Sequence, residues 1–372
     1  MNHRNNSLDV LRSLAIIAVV NSHAASFFST GTAHTVLPLG GRGVDLFFAL
    51  SGWLLGHQLL SELASKGTIN VSRFWLRRWF RTLPAYYAVL VATYLWQIAY
   101  KHTWSLDLTY LVFGQTYFSD MPYFGVSWSL CVEEHFYLLI APLLLLLNRR
   151  VGPVVLLALL AMPIVVRNLG WFGDLTQTHA RWDQCGAGVL LAYLCVYKPG
   201  IWSRLCRIAP PLALLGLVVA TFKFTSRAYP SWGVPEFGCL VWTGISASFI
   251  LLANSSPFWR SGICVPGARL IADRAYSLYL THMLAIGLIE QVQGISFLPA
   301  LALTWSLSFL LGEVLYRAVE RPFMQARERW AWAGARTDSA PKLAGVRVAQ
   351  FANLPPTPYE PVPEAVSPVR LA

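Results

Sequence analysis

Apolar residues run through this chain in stretches of about 17–25, the length that an α-helix needs to cross a bilayer. Short polar or basic breaks separate them. The pattern predicts about ten spans, at 8–28, 41–61, 83–100, 127–147, 151–168, 182–197, 209–225, 234–253, 275–293 and 298–319. Segment 106–118 is apolar but short, and reads either as re-entrant or as a helix lying on the outer surface. The expected fold is therefore all-α, a polytopic integral membrane bundle over residues 1–330. Residues 331–372 turn polar and Pro-rich without helical periodicity, which predicts a disordered cytoplasmic tail.

Composition sharpens this. Of 372 residues 55% are hydrophobic and only 13% charged, whereas a soluble domain carries about 25% charge. A net charge of +11 could point to nucleic acid, but the basic residues fall in short clusters between apolar runs. Arg73, Arg77, Arg78 and Arg81, then Arg149 and Arg150, Lys198 to Arg207, Arg260 to Arg274 and the tail from Arg321 share one side of a ten-span arrangement. The opposite loops hold isolated charges such as Arg42, Lys101 and Arg227. This is the positive-inside asymmetry; it places both termini in the cytoplasm, favours membrane lipids as partners and leaves no role for nucleic acid. An eleven-span count would put Arg149 and Arg150 outside, against the rule. The first apolar run lacks a small-residue cleavage site and is expected to stay as a membrane helix. Six scattered cysteines (Cys131, Cys185, Cys195, Cys206, Cys239, Cys264) show no metal-ligand spacing and read as small apolar residues. No internal repeat is visible, which weakens a transporter built of two related halves.

Ionisable residues inside apolar runs are costly and mark candidate sites. Arg12 and His23 lie eleven residues apart in the first run. Eleven helical steps turn roughly 1100°, about 20° past three turns, so both side chains share one face, stacked roughly 16 Å apart. They read as a binding group and a proton-transfer group on one cavity wall, or as a snorkelling arginine and a hydrogen-bonded core histidine. Asp45, five residues into the second run, either faces the interior or complements the helix dipole. Arg77, Arg78 and Arg81 precede Pro84 at helical spacing. They can grip phosphates in forks, or attract anionic lipid headgroups. Glu133 and Glu134 open a span but point about 100° apart, so one can face a site and the other support it. Arg181 and Asp183 stand at another span's start, His282 lies within the ninth, and Glu313, Arg317 and Glu320 share a face near the end of the last. No P-loop, HExxH, GxSxG or CxxC pattern is present.

In this order the blocks LDVLRSLAIIAVVNSHA, GVDLFFALSGWLL, RRWFRTLPAYY, VSWSLCVEEHFYLL, RWDQCGAGVLLAYL, YSLYLTHM and VERPF resemble the membrane-bound acyltransferase-3 family over about residues 7–325. Members O-acylate bacterial surface and exported polysaccharides and some small natural products. The resemblance implies about ten helices with both termini in the cytoplasm of a bacterial inner-membrane protein. It also implies an R-x10-H signature met by Arg12 and His23, with His23 as catalytic base, and an R-x-x-R pair, Arg78 and Arg81, for the acyl donor's phosphates. NSHA replaces a commoner small-residue-rich GHA ending, and His135 stands where the family often has Gln. Neither departure removes a charged signature residue, and the expectation is a stand-alone transferase unit.

The mechanism that the resemblance implies joins these parts. Acyl-coenzyme A, with acetyl as the expected acyl group, is a co-substrate rather than a tightly bound cofactor. Its headgroup would meet Arg77, Arg78 and Arg81, and its arm would pass Arg12 toward His23, where an acceptor hydroxyl of a saccharide or lipid-linked glycan attacks. Asp45, Arg181 and His282 are further candidates for substrate or donor binding. Glu134 or Asp183 would orient a histidine, and an acyl-histidine intermediate and direct attack both fit. A saccharide or acyl-group exporter using the same buried residues, and an inactive membrane partner, are the competing classes.

Overall fold

The computed structural model describes residues 4–30, 37–102, 104, 106–146, 152–225, 235–262, 264–292 and 294–327. Arg149, Arg150, Arg227 and the tail expected over 331–372 lie outside the described residues. The described residues are helical with no strand. The long helices are α1 (Asn6–Phe28), α2 (Gly43–Lys66), α3 (Val71–Trp96), α4 (Trp128–Leu146), α5 (Gly152–Asn168), α6 (Asp183–Tyr197), α7 (Pro199–Thr225), α8 (Pro235–Asn254), α9 (Ala268–Glu290) and α10 (Phe297–Leu315). Each predicted segment overlaps one of them. Among the described residues four stretches are both long and apolar enough to cross a membrane: Asn6–Phe28, Gly125–Leu145, Pro199–Phe222 and Phe297–Arg327. The protein is an integral membrane protein.

The helices α3, α7 and α9 begin well before the expected spans at 83–100, 209–225 and 275–293. Hydropathy marks only the part of a helix that suits lipid, whereas the backbone ladder continues until a cap or turn ends it. Asn70 supplies such a cap for α3, its side-chain oxygen accepting from the Arg73 amide at 2.9 Å. Arg77, Arg78 and Arg81 are thereby carried on the same helix as the apolar part of the span, which Pro84 does not break.

Two close approaches fix the packing near the site. A Cβ on Gly40 would come within 2.5 Å of the Ala18 carbonyl oxygen, so the Leu37–Arg42 turn lies directly on α1 between Arg12 and His23. Gly52 of α2 and Gly188 of α6 meet backbone to backbone, where any Cβ would collide with Cys185 and Ala49 carbonyls. Small residues let two helices come this close, and van der Waals contact then replaces the hydrophobic drive that lipid does not provide. On the outside, Leu214, Leu215, Leu217, Val218 and Phe222 of α7 and Leu303, Leu310 and Val314 of α10 are exposed, as an apolar solvent requires.

Segment 106–118 forms a 3-10 stretch, Leu108–Val112, and a single helical turn, Gln115–Phe118. Its irregular backbone is met by side chains. The Tyr86 hydroxyl donates to the Tyr110 carbonyl at 2.9 Å and the Tyr87 hydroxyl to that of Leu111 at 2.8 Å.

Candidate active site

A cavity of about 290 Å³ lies between α1, α2, α3, α4 and α9. Arg12, Arg78 and Arg81 line it together with one carboxylate, Glu133, and with Ser51, Tyr137 and Tyr279. Three guanidiniums against one carboxylate make this a cationic chamber inside an apolar bundle. Such a chamber favours an anion, and a guanidinium binds phosphate in two parallel hydrogen bonds. The Arg78 guanidinium sits 4.5 Å from the centre of the Tyr137 ring, which holds it by a cation–π contact. Glu133 accepts from Ser51 Oγ at 2.8 Å and from the Tyr137 hydroxyl at 2.9 Å. Arg12 is tied more loosely, 3.7 Å from Asp9 one turn back. Arg77 is not among the lining residues.

His23 does not line this cavity. Tyr279 does, and behind it stands His282, with ring centres 5.5 Å apart. His282 Nε2 lies 3.0 Å from His23 Nδ1, and the two imidazole centres are 5.0 Å apart. Tyr279 is anchored by its hydroxyl, which donates to the Val126 carbonyl at 3.0 Å and meets Ser129 Oγ at 2.6 Å. The sequence puts Arg12 and His23 on one face of α1; the tertiary structure gives one end of that face to the arginine chamber and the other to a second histidine.

The remaining candidates lie elsewhere. Glu134 accepts from Thr82 Oγ1 at 2.7 Å, so the adjacent carboxylates take separate partners, as their angular offset requires. Asp183 is paired with Arg167 at 3.0 Å, both side chains 1% exposed. Asp45 is paired with Arg181 and lies 3.4 Å from Arg42. Arg181 also lies over the rings of Trp128 and Phe48. This ion-pair network spans α2, α5 and α6 and contributes no residue to the cavity lining. Glu313 is shared by Arg274 and Arg317, whereas Glu320 accepts from Ser277 at 2.7 Å because the backbone widens to a π-turn at Tyr316–Glu320. The expected single face at the chain's end is thus split in two.

Ser51, Tyr137, Tyr276 and Tyr279 were not singled out from the sequence, yet all line the chamber. The spacing of Tyr276, Tyr279 and His282 in AYSLYLTHML is a faint signal for the last two.

A family model described as an acyltransferase domain, acyltransferase 3, matches residues 5–316. The chain belongs to the acyltransferase-3 family. Among relatives, this acyltransferase-3 chain is 25% identical over 356 residues to peptidoglycan O-acetyltransferase OatA of Listeria monocytogenes, covering 85% of this chain and 55% of that protein. It is 25% identical over 353 residues to O-acetyltransferase OatA of Staphylococcus aureus, covering 85% of this chain and 56% of that protein. The chain thus spans about half the length of the curated relatives it matches. No solved structure matches it. Membership in an acyltransferase family favours an enzyme over an exporter.

Proposed function

We propose that this chain is a membrane O-acyltransferase that moves an acyl group, acetyl in the first instance, from acyl-coenzyme A to a hydroxyl of a saccharide or lipid-linked glycan. One observation carries the reading: Arg12, Arg78 and Arg81 surround one chamber whose wall residue Tyr279 backs onto the His282–His23 pair. The donor's phosphates bind the arginines, and its pantetheine arm runs past Arg12, Ser129 and Tyr279 toward His23. There the acceptor oxygen attacks the thioester carbonyl while His23 takes its proton. The carbon–sulfur bond breaks, and the proton passes to the departing thiolate, leaving coenzyme A and the ester. The surrounding bundle keeps bulk water from the thioester. We further propose about ten membrane crossings in a bacterial inner membrane, with both termini cytoplasmic, so that the arginine end of the chamber faces the cytoplasmic donor pool.

The test pairs a chemical readout with one substitution. Mass spectrometry of surface glycans from a strain lacking the gene should show a lost ester, restored by the wild-type chain and not by His23→Ala at equal membrane abundance. Restoration by His23→Ala would remove His23 as the base. Product appearing without any acyl donor would favour an exporter.

A further inference from the structure

The helix α9 projects Tyr276, Tyr279 and His282 at three-residue intervals, and each ties it to a different neighbour. Tyr276 donates to the Thr82 carbonyl of α3 at 2.9 Å, Tyr279 donates to the Val126 carbonyl just before α4, and His282 meets His23 of α1. His282 is completely buried. Its Nδ1 lies 2.6 Å from the Tyr279 carbonyl oxygen. A carbonyl has only lone pairs to offer, so Nδ1 carries a hydrogen. A buried imidazolium needs a carboxylate beside it, and among the described residues the His282 ring meets the backbone carbonyls of Tyr279 and Leu278 and the ring of His23, with no carboxylate hydrogen-bonded to it. The ring is therefore neutral, and its Nε2 is a bare acceptor. That acceptor faces His23 Nδ1 at 3.0 Å, and a hydrogen bond between the two nitrogens needs one hydrogen, which only His23 can supply.

We infer that His282 is a positioning residue that fixes the tautomer of His23, holding the hydrogen on Nδ1 and leaving Nε2 as the basic atom. The inference rests on the reading of His23 as the base. It assigns His282 the place that a carboxylate takes in a Ser-His-Asp triad, with a difference. A neutral imidazole orients the ring without adding a negative charge to a site that must accept an acyl donor rich in phosphate. When His23 Nε2 takes the acceptor's proton, the Nδ1–H bond to His282 remains in place, so the imidazolium is met by a lone pair and the ring does not turn. The carbonyl of Tyr279 thus reaches the base through two rings, and Tyr279 itself is locked by Val126 and Ser129.

Nitrogen-15 histidine NMR of the full chain in lipid nanodiscs tests this without any turnover. The His23 signals, assigned by their loss in His23→Gln, should show hydrogen on Nδ1 and a bare Nε2 in the wild type. In His282→Phe the preference should collapse toward a mixture of the two tautomers. Acetyl transfer from acetyl-coenzyme A should then fall in kcat by about 10–100-fold, with the donor KM unchanged because His282 is outside the chamber lining. His282→Gln, whose side-chain oxygen accepts from the same Nδ1–H, should recover most of the loss. A wild-type spectrum with the hydrogen on Nε2 overturns the inference, as does a tautomer indifferent to His282→Phe. Full activity in His23→Ala beside the expected spectrum would instead end the reading of His23 as base and leave the tautomer assignment standing.

Discussion

Truncating the chamber's arginines gives the most direct measure of donor binding. Arg78 and Arg81 lie three residues apart on α3, and both guanidiniums line the chamber with Arg12. A hydrogen bond to a charged group is worth about 1.5–3 kcal/mol. At about 1.4 kcal/mol per tenfold, Arg78→Ala or Arg81→Ala should weaken coenzyme A binding about 10- to 150-fold. The structure ranks the two. Arg78 is already held against the Tyr137 ring at 4.5 Å, so it loses little side-chain freedom on binding and belongs at the upper end of that range. Among the described residues no ring lies against Arg81 in this way, and it belongs lower. The two sit in one cluster, so the double variant should fall short of the product of the singles. Arg78→Lys keeps the charge and loses the fork and the stacking, and should recover only part of the affinity. The assay is titration calorimetry of coenzyme A into protein in neutral-lipid nanodiscs, repeated at two salt concentrations. A dissociation constant unchanged within about twofold in the double variant would refute the argument and return the cluster to lipid anchoring.

The buried pair of Asp45 and Arg181 should behave as structure rather than chemistry: Asp45→Ala strands a guanidinium that is 6% exposed, costing about 3–5 kcal/mol. Replacing both, Asp45→Leu with Arg181→Met, should cost far less; thermal melting in detergent compares them, and equal losses would disprove the pairing argument. Gly52→Leu forces α2 and α6 apart and should cost about 1–3 kcal/mol or more, whereas Gly244→Ala, where an added Cβ meets nothing within 4 Å, should melt no lower than the wild type. Ser51→Ala removes one of two donors to the half-buried Glu133 and should cost about 0.5–1.5 kcal/mol; an unchanged melting midpoint would show that water takes its place.

Much of the architecture was readable along the chain because the signals are local. Apolar runs had to become helices once lipid was the solvent, since no other backbone arrangement in such a run satisfies its own polar groups. Helical periodicity alone aligned Arg12 with His23 and separated Glu133 from Glu134. What the linear order could not carry is the choice of partner. Asp45, Asp183, Arg181 and His282 look alike in sequence, each an ionisable residue in an apolar stretch, and packing sorted them into different roles. Asp45 found Arg181 across 136 positions and became a closed ion pair. His282 found His23 across 259 positions and became the neighbour of the proposed base. Those pairings depend on how closely the elements can approach, and at Gly40, Gly52 and Gly188 the absence of a Cβ lets backbone meet backbone. Periodicity is a property of one helix, but a cavity belongs to five, so Ser51, Tyr137 and Tyr279 became site residues only when the bundle closed around them.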